Sequence, residues 1–115
     1  MLKHIIRQNG PVTIVDMKGK ITIGSGDEQL REIVHGLLDQ GQKKILLNCE
    51  GVTFIDSTGI GELVATFTKV KNRQGTLALL KLTARIQELM EITQLMTVFD
   101  IYDDEATAVG SLSAA

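Results

Sequence analysis

The sequence predicts an α/β fold: a single domain over residues 1–115 with a mixed, mostly parallel sheet, an N-terminal antiparallel hairpin and about four helices. Three observations carry this. Short apolar runs alternate with amphipathic helical stripes, an Asn-Gly pair stands between the first two runs, and capping residues and glycines punctuate the stripes.

Residues 4–8 and 12–18 read as two strands. Asn9-Gly10 between them is a hairpin signal, and Pro11 demands an edge position or the first residue of a strand. Val12, Ile14, Val15 and Met17 populate both faces. Residues 19–23 add a short extended piece before a turn at Gly24. The first helix follows, with Ser25 and Glu28 spaced as a capping box. Its stripe is Leu30, Ile33, Val34, Leu37 and Leu38, and Gly41 ends it.

Residues 43–48 carry Ile45, Leu46 and Leu47 in succession, as a strand covered on both faces would. A second helix runs from about 58 to 72, with Ile60, Leu63, Val64, Phe67 and Val70 on one side. Lys69, Lys71 and Arg73 complement the dipole at its end. Residues 76–81 form another apolar strand, 83–93 a helix with Ile86, Leu89 and Met90 inward, and 98–102 a fifth strand. Asp103, Asp104 and Glu105 open a last helix with Ala106, Val109 and Leu112 inward, and the small residues at 110–115 read as a frayed tail. The order β-β-α-β-α-β-α-β-α implies right-handed parallel crossovers behind the hairpin.

Composition removes several functions. A net charge of −2 gives no basic face for nucleic acid. No apolar run reaches the roughly 20 residues that span a bilayer, and Met-Leu-Lys-His-Ile-Ile-Arg is too short and interrupted for a signal peptide, so a cytoplasmic location without membrane insertion is expected. Cys49, the one cysteine, lies in an apolar run and reads as reduced and buried. Three Phe, one Tyr and no Trp supply little for stacking bases or sugars.

Enzyme signatures are missing. His4 and His35 have no cysteine or carboxylate at metal-ligand spacing, and Ser57 matches only one side of a nucleophile elbow. Gly24-Ser25-Gly26 precedes a helix as a phosphate cradle would. It lacks both glycine-rich nucleotide spacings, and a turn plus a cap explains it. No cofactor or metal site is therefore expected, and no catalysis.

The informative stretch is Phe54-Ile-Asp-Ser-Thr-Gly-Ile-Gly61. It reads as a strand end, an acid beside two hydroxyls, and glycine-relieved entry into a helix. A hydroxyl there is exposed and faces the positive end of the helix dipole, which suits a side chain modified by phosphate. Asp56 or Ser57 would serve as an N-cap. Capping needs only one such residue, however, and glycines at 59 and 61 suggest a backbone face kept bare for another surface.

The tract Val52-Thr-Phe-Ile-Asp-Ser-Thr-Gly-Ile-Gly-Glu-Leu63, with the element order, Gly19-Lys-Ile and the Leu89–Leu95 region, resembles the STAS domain of bacterial anti-sigma factor antagonists. The resemblance implies a partner switch acting on transcription. Unphosphorylated antagonist binds an anti-sigma factor that is a GHKL-type serine kinase and frees its sigma factor. Phosphorylation reverses this, and a PP2C-type phosphatase restores the binding form. Carried over, the acceptor is Ser57, with Thr58 as the alternative; the partner surface comprises Ile23, Gly24, Asp56, Thr58, Gly59, Ile60, Gly61 and Glu62. ATP and magnesium belong to the kinase. Thr22 stands where many members carry an acid. A second reading is a constitutive STAS subunit of a lipid-transport or stress-signalling complex, and a third is a small nucleotide-binding protein or enzyme.

Phosphorylation adds about −1.5 to −2 charges, which the helix dipole favours by about 0.3–1 kcal/mol. Asp56 and Glu62 are expected to oppose them, each by roughly 3 kcal/mol at about 5 Å and an effective dielectric of about 20. The phosphate should therefore project outward.

Overall fold

The computed structural model describes residues 2–114. In chain order the elements are β1 (Leu2–Asn9), β2 (Val12–Ile21), α1 (Asp27–Asp39), β3 (Lys44–Ile55), α2 (Ser57–Asn72), β4 (Thr76–Leu80), α3 (Ala84–Ile92), β5 (Asp100–Tyr102) and α4 (Glu105–Ala114). The strands lie in the sheet in sequence order, β1 antiparallel to β2 and every later pair parallel. The predicted order of elements stands in full.

Alternation along the strands divides the core. Val15, Met17, Ile45, Leu47, Cys49, Leu77 and Leu79 pack against α1, α2 and α3 through Leu30, Val34, Leu63, Val70, Ile86 and Met90. Val12, Ile14, Leu46, Ala78 and Leu80 face the other way, under Ala108 and Leu112 of α4. The three consecutive apolar residues at 45–47 thus serve two cores, and burying each side chain contributes about 1.5–3 kcal/mol. Full burial raises the Cys49 thiol to about 12, so it stays protonated.

The details differ from the sequence reading at six places. Gly10 (φ +60) and Pro11 form the two-residue turn, with Asn9 paired to Val12, so Pro11 belongs to no strand. Gly26, not Ser25, occupies the N-cap of α1, in a left-handed conformation without a side-chain capping bond. A Cβ at Gly26 would come within 1.9 Å of the Lys20 carbonyl oxygen, so the chain needs glycine there, and Ser25 instead closes a turn with Thr22. β3 runs on to Ile55, because β2 follows it through two register shifts that hide the alternation. β5 begins at Asp100, two residues late. In α4 the buried residues are Ala108 and Leu112, with Val109 partly buried and Ala106 exposed, and the Thr107 amide donates to the Asp104 carboxylate. This helix carries the supposed tail to Ala114, and Ala115 lies outside the described residues.

Arg7 ties the edge strand to α4. Its guanidinium donates to Asp16 (Nε to Oδ2 2.6 Å) and to Glu105 (Nη2 to Oε1 2.7 Å), and Asn48 also donates to Asp16. Both carboxyls are held below their usual range, Asp16 chiefly by the Arg7 hydrogen bond and Glu105 likewise. Their contribution is present above the unfolded carboxylate range, about pH 4, and is lost as pH falls through the depressed folded values. In urea unfolding from pH 6 to pH 3, Asp16→Asn and Glu105→Gln should flatten the acid-side decline. Each should cost less than about 1 kcal/mol at neutral pH, because the groups are partly exposed. An unchanged slope in both variants would refute this linkage.

Candidate functional site

The ends of β2 and β3 lie side by side, Lys20 against Phe54 and Ile21 against Ile55, and deliver two loops to one edge of the domain. One is the tight turn 22–25. Thr22 and Ser25 exchange backbone hydrogen bonds of 2.7 and 2.9 Å, which leaves Ile23 and Gly24 at the tip, Gly24 at φ +72. The other is the junction of β3 with α2.

Asp56 governs that junction. It caps α2, its Oδ1 accepting from the Gly59 amide at 2.8 Å, while Oδ2 accepts from the Ile23 amide at 3.2 Å. These amide donors, Gly59 first, hold the carboxyl below its usual range, so it remains ionised. Ser57 and Thr58 follow as the first two residues of α2, both exposed. Neither hydroxyl has a hydrogen-bond partner among the described residues. Ile23, whose amide meets Asp56, is 73% exposed, and Phe54, two residues before Asp56 in the chain, is 42% exposed, with Arg85 over its ring at 5.1 Å.

The predicted residues separate into surface and support. Ile23, Gly24, Ser57, Thr58 and Gly61 are exposed, whereas Gly59 and Ile60 are buried. Gly59 is not kept bare for a partner: a Cβ would come within 1.9 Å of the Ile21 carbonyl oxygen. It lets α2 press on the end of β2. A Cβ at Gly61 would meet nothing within 4 Å, so only this glycine fits the bare-face reading.

Glu62 also departs from expectation. It is only 9% exposed and accepts from Arg31 of α1 at 2.7 Å, with Thr66 at 3.5 Å. Its charge is paired, so it does not act as a free anion opposing a phosphate, and it joins α1 to α2 beside a cleft of about 210 Å³. Of the two expected repulsions only that from Asp56 survives. The Thr22 hydroxyl turns inward to Ser25 oxygen at 3.3 Å. Phe54 opens the informative tract but is not among the residues implied for the partner surface, and neither is Arg85; the available signal is an aromatic residue just before the acid-hydroxyl tract.

Among the described residues no three His, Cys, Asp or Glu side chains gather as a metal-ligand set, and no helix is long and apolar enough to cross a membrane. His35 lies against Lys69 between α1 and α2.

Comparison with known proteins places this geometry. The family model described as the STAS domain matches residues 3–108. The Anti-sigma-B factor antagonist of Bacillus subtilis (strain 168) is 35% identical over 96 residues, covering 84% of this chain and 86% of that protein. An anti-sigma factor antagonist from Mycobacterium paratuberculosis superposes with a TM-score of 0.85 at 17% identity, covering 98% and 95% of the two chains. The Bacillus cell fate determinant SpoIIAA in its phosphorylated form gives 0.73 at 18%, covering 96% and 99%.

The two glycines of α2 should respond oppositely to alanine. Gly59→Ala is expected to lower stability by about 1–3 kcal/mol through overpacking on Ile21. Gly61→Ala should raise it by up to about 1 kcal/mol through helix propensity. Urea midpoints of the two variants measure this, and equal shifts would contradict the packing role of Gly59.

Proposed function

The chain belongs to the STAS-domain family, and from that premise we propose that it is an anti-sigma factor antagonist whose partner surface centres on Ser57. The observation that carries this is the exposed Ser57 hydroxyl on the first residue of α2, beside a capping Asp56. The 35% identical relative, named an anti-sigma factor antagonist, supports it.

In the proposed cycle the unmodified protein binds an anti-sigma factor that is a GHKL-type serine kinase, with Ile23 and Phe54 as apolar anchors beside the hydroxyl. The chain contributes a substrate oxygen and no catalytic group. ATP and magnesium act in the kinase, phosphate passes to Ser57, and a PP2C-type phosphatase removes it, all in the cytoplasm. Thr58, also exposed, is the alternative acceptor.

The physics of release is local. With Glu62 paired to Arg31, the new charge meets the dipole of α2 and the adjacent Asp56. Repulsion from Asp56 offsets the dipole, and a further cost falls at the interface, where a dianion replaces a neutral hydroxyl under a closed partner surface and must be desolvated. A penalty of about 3 kcal/mol lowers affinity more than a hundredfold. No refolding is needed.

Partner affinities of Ser57→Ala and Ser57→Asp test the proposal. The alanine variant should bind like the unmodified protein and the aspartate variant about a hundredfold more weakly; equal binding by the two would overturn the switch. Ile23→Asp should weaken binding without lowering stability, since its side chain is exposed. After incubation with kinase and ATP, mass spectrometry should find phosphate on the peptide containing Ser57. An unmodified peptide would favour a constitutive subunit of a larger assembly.

A further inference from the structure

The sheet face that carries α4 is covered over only part of its extent. α4 lies on Val12, Ile14, Leu46, Ala78 and Leu80. Further along the same strands the side chains turn polar and border a concavity of about 670 Å³, within the range of small-ligand sites.

The cations in it are unequally employed. Arg7 is taken up by Asp16 and Glu105. Lys3 and Lys18 have no hydrogen bond or ion pair among the described residues, and Lys81 stands 3.9 Å from Glu50, its nearest carboxylate partner. The lining as a whole sets four Lys and Arg cations against three carboxylates, in a chain of net charge −2. Two of those carboxylates have turned their lone pairs to Arg7.

Like charges also face one another across the hairpin. Lys3 stands directly opposite Lys18 in the β1–β2 register, and facing like charges destabilise a sheet. Lys81 adopts φ +55, a left-handed conformation that lysine seldom takes, fixed by its amide donating to Tyr102 oxygen at 2.8 Å.

We propose that this concavity binds a small phosphate-bearing molecule, with Lys3, Lys18 and Lys81 meeting the phosphate and the exposed Ile5 forming an apolar wall. Lysines act as point charges for phosphate, whereas the arginine fork that would suit a carboxylate is already filled. The anion would separate the opposed lysines and relieve their repulsion. The site lies on the sheet face opposite α1 and α2, so it is independent of the Ser57 reading and neither falls with the other.

The test is an amide-shift titration of the full chain with pyrophosphate, at ionic strength held constant with sodium chloride. Saturable shifts should appear at residues 3, 18, 50 and 81, and Lys18→Gln and Lys81→Gln should each weaken binding by about tenfold or more. Lys71→Gln, on the last turn of α2, should change nothing. Without ligand Lys18→Gln should melt no lower than the parent, which separates lost binding from lost folding. Absence of saturation in the millimolar range, binding unaffected by Lys18→Gln, or shifts centred on α2 would each overturn the proposal. Cosedimentation with phosphatidylglycerol vesicles in place of pyrophosphate shifts would overturn it in favour of a lipid surface.

Discussion

The carboxylate of Asp56 joins two segments that lie 33 residues apart: one oxygen accepts the Gly59 amide, the other the Ile23 amide. The first bond satisfies an otherwise orphaned donor at the start of α2; the second fixes the turn that presents Ile23. Without this bracket the helix start and the turn would be separate loops. With it they form one surface, on which Ser57, the first residue of α2, is exposed.

The bracket works because backbone packing brings its parts within reach. β2 and β3 stay paired to Ile21 and Ile55, and Gly59 allows α2 to press on the last carbonyl of β2. Gly51 has a comparable role where β3 passes β2, since a Cβ there would come within 2.6 Å of the Met17 carbonyl oxygen. Charges are arranged to leave the hydroxyl alone. Glu62 is paired with Arg31, and Asp56 spends its lone pairs on amides. The charge that a modified hydroxyl would meet is therefore that of Asp56 alone.

Much of this was legible in the sequence. Apolar stripes located all four helices, and consecutive apolar runs located the two central strands, because burial on one face or two leaves a direct pattern. The acid-hydroxyl-glycine tract was equally plain, since strand end, cap and helix start are encoded in adjacent residues. What the sequence concealed depends on contacts between distant segments. The full length of β3 was masked by register shifts against β2. The N-cap moved to Gly26 because of a carbonyl six residues earlier, and the reason for Gly59 is the carbonyl of Ile21. Glu62 looked like a free acid because its partner, Arg31, sits on another helix.

The most direct measurement is amide hydrogen exchange in Asp56→Ala compared with the parent chain. If one carboxylate holds both segments, protection should fall at Ile23 and Gly59 together while the β2–β3 core amides keep theirs. Loss at Gly59 alone, with Ile23 unchanged, would contradict the account: Asp56 would then be a helix cap and nothing more.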